Sequence, residues 1–145
     1  MEKSALQIAR AAYQPKLPAG LRGNVAVKEG EPTQSVGNQE EIKALFPNTY
    51  GMPLVEVVPT DEAKEYAPIN IGIILSGGQA PGGHNVICGL YDGLKKQKPA
   101  IKLYGFLMGP GGLVDHKYIE MTDELIDEYR NTGGFDMIGS GCTKL

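Results

Sequence analysis

Between Ile69 and Asn85 an isoleucine-rich apolar run stops at Ser76, and four glycines and a proline follow within the seven residues Gly77 to Gly83. An apolar pattern at helical spacing then begins. This order predicts a buried strand, a tight loop and a helix N-terminus. Backbone N–H groups without Cβ atoms in such a loop can close around an anionic phosphate. The same glycines also suit a tight strand-to-helix turn that holds no ligand. A dinucleotide fingerprint is excluded, because Gly77, Gly78, Gly82 and Gly83 supply no Gly-x-Gly-x-x-Gly register. Gly78 and Gly83 have the P-loop gap, but His84-Asn85 stands where a lysine and a magnesium-binding hydroxyl are needed.

Downstream the pattern is regular. Strands are expected at Ile69–Leu75, Ile101–Leu107 and Phe135–Ile138. Helices are expected over Gly83–Gln97, with Val86, Ile87, Leu90 and Leu94 on one face, and from Thr122 to about Asn131, burying Leu125, Ile126 and Tyr129. Lys98-Pro99 ends the first helix. Thr122 suits an N-cap with Asp123 and Glu124 in the first turn, and Gly133-Gly134 closes the second helix. Lys117–Met121 reads as a small extra strand and Met108–Leu113 as a loop. The fold class is therefore α/β, an incomplete Rossmann-like parallel sheet in the order β-α-β-α-β. Ser76–Gly83, Met108–Leu113 and Gly139–Thr143 would line the carboxyl edge of its strands, where open α/β sheets bind ligands.

Residues 1–66 have a different texture, with prolines at 15, 18, 32, 47, 53 and 59 and too little apolar periodicity for a core. They read as an irregular, partly helical amino-terminal extension or arm, and residues 67–145 as the first part of the α/β domain. Met1–Ala12 reads as a short amphipathic helix and not a signal peptide. Asn38 as N-cap with Glu41 starts a second helix, Asn48-Thr49-Tyr50-Gly51 forms a turn, and Leu54–Val58 a short strand.

A net charge of −3 with scattered basic residues gives no footprint for nucleic acid or for an anionic membrane. No apolar run approaches the roughly 20 residues of a membrane helix. Two cysteines, Cys88 and Cys142, are too few for a metal site, and both read as reduced thiols of a cytoplasmic protein, Cys88 as a small packing residue. His84 reads as a helix-cap or packing residue, since no acid can be set beside it from sequence.

The stretch Gly72-Ile73-Ile74-Leu75-Ser76-Gly77-Gly78-Gln79-Ala80-Pro81-Gly82-Gly83-His84-Asn85 resembles the first strand and phosphate loop of the phosphofructokinases. Gln79 and Gly83-His84-Asn85 are similar to the long, pyrophosphate-dependent branch; ATP-using members usually carry Gly-Gly-Asp-x-Pro-Gly-Met-Asn. Tyr104-Gly105-Phe106, Lys117-Tyr118-Ile119-Glu120, Tyr129-Arg130-Asn131 and Gly133 to Gly141 resemble that branch in order and spacing. Lys3 to Arg10 and Phe46-Pro47-Asn48-Thr49-Tyr50-Gly51 resemble its amino-terminal extension.

The resemblance implies reversible, magnesium-dependent phosphoryl transfer from pyrophosphate to fructose 6-phosphate in the cytoplasm, by a homo-oligomer when full length. It implies donor contact through the Gly78 backbone, with Gly77 and Gly82 keeping the loop open. It also implies a donor-side role for the position of Cys142, where the family commonly has arginine. The family's magnesium ligands, catalytic aspartate and sugar-phosphate arginines match no residue here, so the chain is expected to be the amino-terminal segment of a longer enzyme and inactive alone. A noncatalytic phosphometabolite-binding or regulatory relative, and an ATP-dependent 6-phosphofructokinase, are the alternatives.

Overall fold

The computed structural model describes residues 3–62, 65, 67, 69–98 and 100–144. Met1 and Glu2 of the expected first helix, Tyr66 at the expected end of the arm, and the helix-ending Pro99 lie outside them. Two units are distinguished, Pro15–Glu65 and Met1–Gln14 together with Tyr66–Leu145.

In the first unit, strand β1 (Val25–Pro32) pairs antiparallel with β2 (Pro53–Pro59), Val27 facing Val57. The register shifts between Glu29 and Pro32, as expected of a proline that cannot donate to the ladder. β2 occupies the expected position, whereas β1 was not anticipated. Gly30 and the proline at its end mask the Val25-Ala26-Val27 alternation. Helix α2 (Gln39–Leu45) begins after Asn38 as expected, but the expected side-chain cap does not form. Asn38 is left-handed (φ 51°), and the Gln39 side chain instead donates to Ser35 O at 3.0 Å. None of the residues in β1, α2 or β2 is buried.

The second unit holds the hydrophobic core. Helix α1 (Ala5–Ala12) opens with a reciprocal capping box, Gln7 N–H to Ser4 Oγ at 3.3 Å and Ser4 N–H to Gln7 Oε1 at 2.8 Å. Its far end is held by Asn131, whose amide donates to Arg10 O at 2.6 Å and Tyr13 O at 3.0 Å.

Strand β3 (Ile71–Ile73) runs parallel to β4 (Leu103–Phe106), joined by helix α3 (Gly83–Gln97), so one β-α-β crossover forms as expected. Helix α4 (Pro110–Val114) follows, then β5 (Tyr118–Glu120), antiparallel to β4, and helix α5 (Asp123–Tyr129). Thr122 caps α5, accepting from Leu125 N–H at 3.3 Å. The result is a mixed α/β unit whose sheet, in the order β3-β4-β5, contains both parallel and antiparallel pairs.

Three expectations are corrected. The Phe135–Ile138 segment is turn, not a third parallel strand, and only Gly141 bridges Ser76 in parallel. The segment bends because Met137 N–H is drawn to the His84 ring and Gly139 takes φ 68°. The Gly109-Pro110-Gly111-Gly112 stretch is not open loop: proline at the first helical position starts α4. Finally, α3 buries Ile87, Cys88 and Tyr91, while Val86 is exposed. The expected Ile87, Leu90 and Leu94 do pack on the core, so only Val86 is misplaced, and Cys88 and Tyr91 join the buried set on the side that meets α5.

Ile87, Leu103, Ile126 and Ile138 form the fully buried centre, with Leu125 and Tyr129 packed against it as expected. Burial also pushes the Cys88 thiol pKa up, which keeps it a neutral packing group. Arg130 grips Asp92 of α3 with two bonds of 2.6 and 3.1 Å and reaches Asp127 at 3.0 Å, tying the end of α5 to α3.

Candidate functional site

Three chain segments meet beyond the ends of β3 and β4. Gly77 N–H donates to Gly141 O at 2.9 Å, and Gly141 N–H to Leu75 O at 3.3 Å. From the β4 side, Met108 N–H donates to Ile138 O at 2.7 Å. A Cβ on Gly109 would lie 2.5 Å from Gly141 N, and one on Gly111 would lie 3.1 Å from Thr143 Oγ1. The 138–143 segment therefore lies against both the Ser76–Gly83 loop and the Met108–Leu113 region.

Within the glycine-rich loop the residues differ in kind. Gly77 (φ 111°) and Gly82 (φ 99°) have backbone conformations that side chains rarely adopt. Gly78 has ordinary φ, yet a Cβ there meets no atom of the described residues within 4 Å. Neither a positive φ nor packing among the described residues demands glycine at 78. Gly83 is different again, since its Cβ would press on Leu75 and Phe135.

The helix N-terminus is less open than its glycines suggest. Gly82 N–H donates to Gly133 O at 2.6 Å and His84 N–H to Gly134 O at 2.8 Å. The N–H groups of Gly78, Gln79, Ala80, Gly83 and Asn85 donate to no backbone carbonyl among the described residues. Such N–H groups are donors that a loop of this kind can offer an anion. Cys142 follows Gly141 directly and is exposed, so the structure brings it to the same edge as Gly77. Its thiol adds no positive charge there.

Sequence reasoning found no acid for His84, yet Asp136 Oδ1 lies 3.0 Å from its Nε2. The same nitrogen accepts Met137 N–H at 3.0 Å, Nδ1 lies 2.6 Å from Thr132 Oγ1, and the Tyr129 ring sits edge-on with centroids 4.7 Å apart. Burial lowers the His84 pKa below the ordinary histidine value, and the charge and hydrogen bond of Asp136 only partly oppose it. The one available signal was Thr132-Gly133-Gly134 just past α5, because only a side chain as small as Gly134 leaves room for the ring.

Magnesium needs several oxygen ligands in near-octahedral array. Among the described residues, no group of three or more His, Cys, Asp or Glu could hold a metal ion. No helix among them is long and apolar enough to cross a membrane.

No protein-family model matches the chain. Over its whole length it is 63% identical to a pyrophosphate–fructose 6-phosphate 1-phosphotransferase of Porphyromonas gingivalis. It is 49% identical to one of Entamoeba histolytica and 46% identical to one of Treponema pallidum, again over the whole chain. It spans 26 to 27% of the length of these relatives, about a quarter. The resemblance read from the loop thus extends over the entire chain, and it is to the pyrophosphate-dependent branch.

Proposed function

We propose that this chain forms part of the phosphoryl-donor cradle of a cytoplasmic, homo-oligomeric pyrophosphate-dependent 6-phosphofructokinase. Such an enzyme moves a phosphoryl group reversibly between pyrophosphate and the 1-hydroxyl of fructose 6-phosphate. The mixed sheet is then the first portion of an incomplete Rossmann-like sheet. The observation that carries the reading is Gly78, a glycine that nothing among the described residues requires, in a loop whose neighbouring N–H groups have no backbone acceptor there.

In this reading the Gly78 N–H donates to a pyrophosphate oxygen, while Gly77 and Gly82 shape the loop so that no side chain intervenes. Hydrogen bonds to charged oxygens are the stronger kind, which suits backbone donors to this work. Phosphoryl transfer depends on positioning and charge neutralisation, and the chain supplies positioning. Magnesium would supply charge neutralisation, with protein ligands outside this chain. Cys142 cannot replace an arginine fork, so donor binding is weak, and the isolated chain has no turnover. That same exposed cysteine favours a second reading, a noncatalytic relative that binds a phosphometabolite.

Isothermal titration of pyrophosphate with magnesium into the chain and into Cys142→Arg tests the proposal. Binding that strengthens about tenfold in the arginine variant, the gain of one charge-assisted bond, supports the donor cradle. Equal affinity of both versions removes Cys142 from the site, and absence of binding by either overturns the cradle.

A further inference from the structure

His84 is a buried polar residue in the core, 2% exposed on the first turn of α3, and each of its ring nitrogens is engaged. Met137 N–H can only donate, so Nε2 must present its lone pair and the proton must reside on Nδ1. Nδ1–H then donates to Thr132 Oγ1, whose own hydrogen goes to Tyr129 O at 2.6 Å. The partners fix one neutral tautomer.

Asp136 Oδ1 lies equally near the same Nε2, but an ionised carboxylate can only accept. It becomes a hydrogen-bond partner when Nε2 gains a proton, and the Met137 amide then loses its acceptor. Nε2 therefore has two mutually exclusive partners on adjacent residues, selected by the charge of the ring. The titratable groups facing the ring are Asp136 from the 132–137 segment and Tyr129 from α5, with Cys88 one turn along α3.

Both partners belong to the segment that builds the loop edge. Ile138, next after Met137, accepts from Met108, and Gly141 bonds to Leu75 and Gly77. On the other flank, Gly82 and His84 bond through their backbones to Gly133 and Gly134. The imidazole thus bridges the helix that opens the glycine loop and the turn that abuts it.

We propose that His84 is a positioning residue that sets the glycine loop against the 138–142 turn only in its neutral form, so that its protonation frees Met137 and weakens phosphoryl-donor binding. This rests on the reading of the loop as a pyrophosphate site. Burial disfavours the imidazolium, so the neutral arrangement persists at neutral pH and yields on acidification.

The chain has two histidines, His84 and the exposed His116, which makes long-range 1H–15N NMR simple to assign with His116→Gln as reference. The expected result is an Nδ1–H tautomer for His84 at pH 7.5, a midpoint below the ordinary histidine value, and a Met137 amide shift that follows this midpoint. An Nε2–H tautomer, or a Met137 amide that ignores the titration, overturns the proposal without any variant at His84.

Calorimetry with magnesium pyrophosphate at pH 5 to 8 then compares wild type with His84→Gln, which carries an acceptor for Met137 and no titratable proton. The wild-type Kd should rise by up to about tenfold per pH unit below the His84 midpoint, as for a ligand that binds only the neutral form. In His84→Gln, whatever its absolute affinity, only the ligand's own protonation should remain. An identical pH dependence in both overturns the role of His84 and leaves the donor site standing. Absence of binding at every pH, with the NMR result as expected, overturns the donor-site reading and with it the effect on affinity.

Discussion

Two glycine-rich stretches follow the two parallel strands, and they use glycine for opposite reasons. After β4, a Cβ on Gly112 would collide with Leu107 O and lie 2.6 Å from Leu107 N, and one on Gly109 would strike the Gly141 backbone. Here glycine allows the chain to pack on itself. After β3, Cβ atoms on Gly77, Gly78 and Gly82 meet no atom of the described residues within 4 Å. The sequence strings look alike, yet one stretch is filled by its own backbone and the other stands clear of it. A run of glycines therefore carries no functional meaning until each is asked what its missing side chain would touch.

Substitutions with alanine put this contrast at risk. Gly112→Ala should cost most, about 3 kcal/mol of unfolding free energy in denaturant titration, because rigid backbone atoms cannot yield to the added carbon. A loss near zero would mean that the α4 turn opens freely. Gly77→Ala and Gly82→Ala should each cost about 1–2 kcal/mol, from positive φ alone and without collision. Gly78→Ala should change stability by less than about 0.5 kcal/mol. It should nevertheless weaken pyrophosphate binding by about tenfold or more, because the added methyl holds the anion off the retained N–H and so weakens about one hydrogen bond to a charged oxygen. A Gly78→Ala chain that is strongly destabilised would show that this glycine, too, serves packing.

Much of the second unit could be read from local pattern. The bounds of α3 at Gly83 and Gln97, the start of α5 after Thr122 and the small strand at Tyr118–Glu120 all follow from caps, spacing and alternation. The three segments expected at one edge do meet there, but the third arrives as a turn joined by the Ser76–Gly141 bridge and not as the end of a parallel strand. The errors share a cause, which is contact between residues distant in sequence. Phe135–Ile138 has the composition of a strand, but His84, some fifty positions earlier, takes the Met137 amide from any ladder. Val86 fits the apolar stripe of α3, but the placement of α5 decides which stripe is buried. β1 escaped notice because its partner, β2, lies beyond an intervening helix and its alternation is broken by Gly30. At the candidate site, the glycines were visible from the start, whereas the capture of the Gly82 and His84 amides by Gly133 and Gly134 was not.

The grip of Asn131 on the end of α1 also imposes an order in time. The eight residues of α1 leave the ribosome well before Asn131, and a helix of that length is marginal alone. The amide that holds Arg10 O lies 121 positions later. At roughly 5–20 residues per second, it is made about 6–24 s after Arg10. Helix α1 thus waits those seconds for this hold, and meanwhile its apolar side stands open to whatever greets a nascent chain.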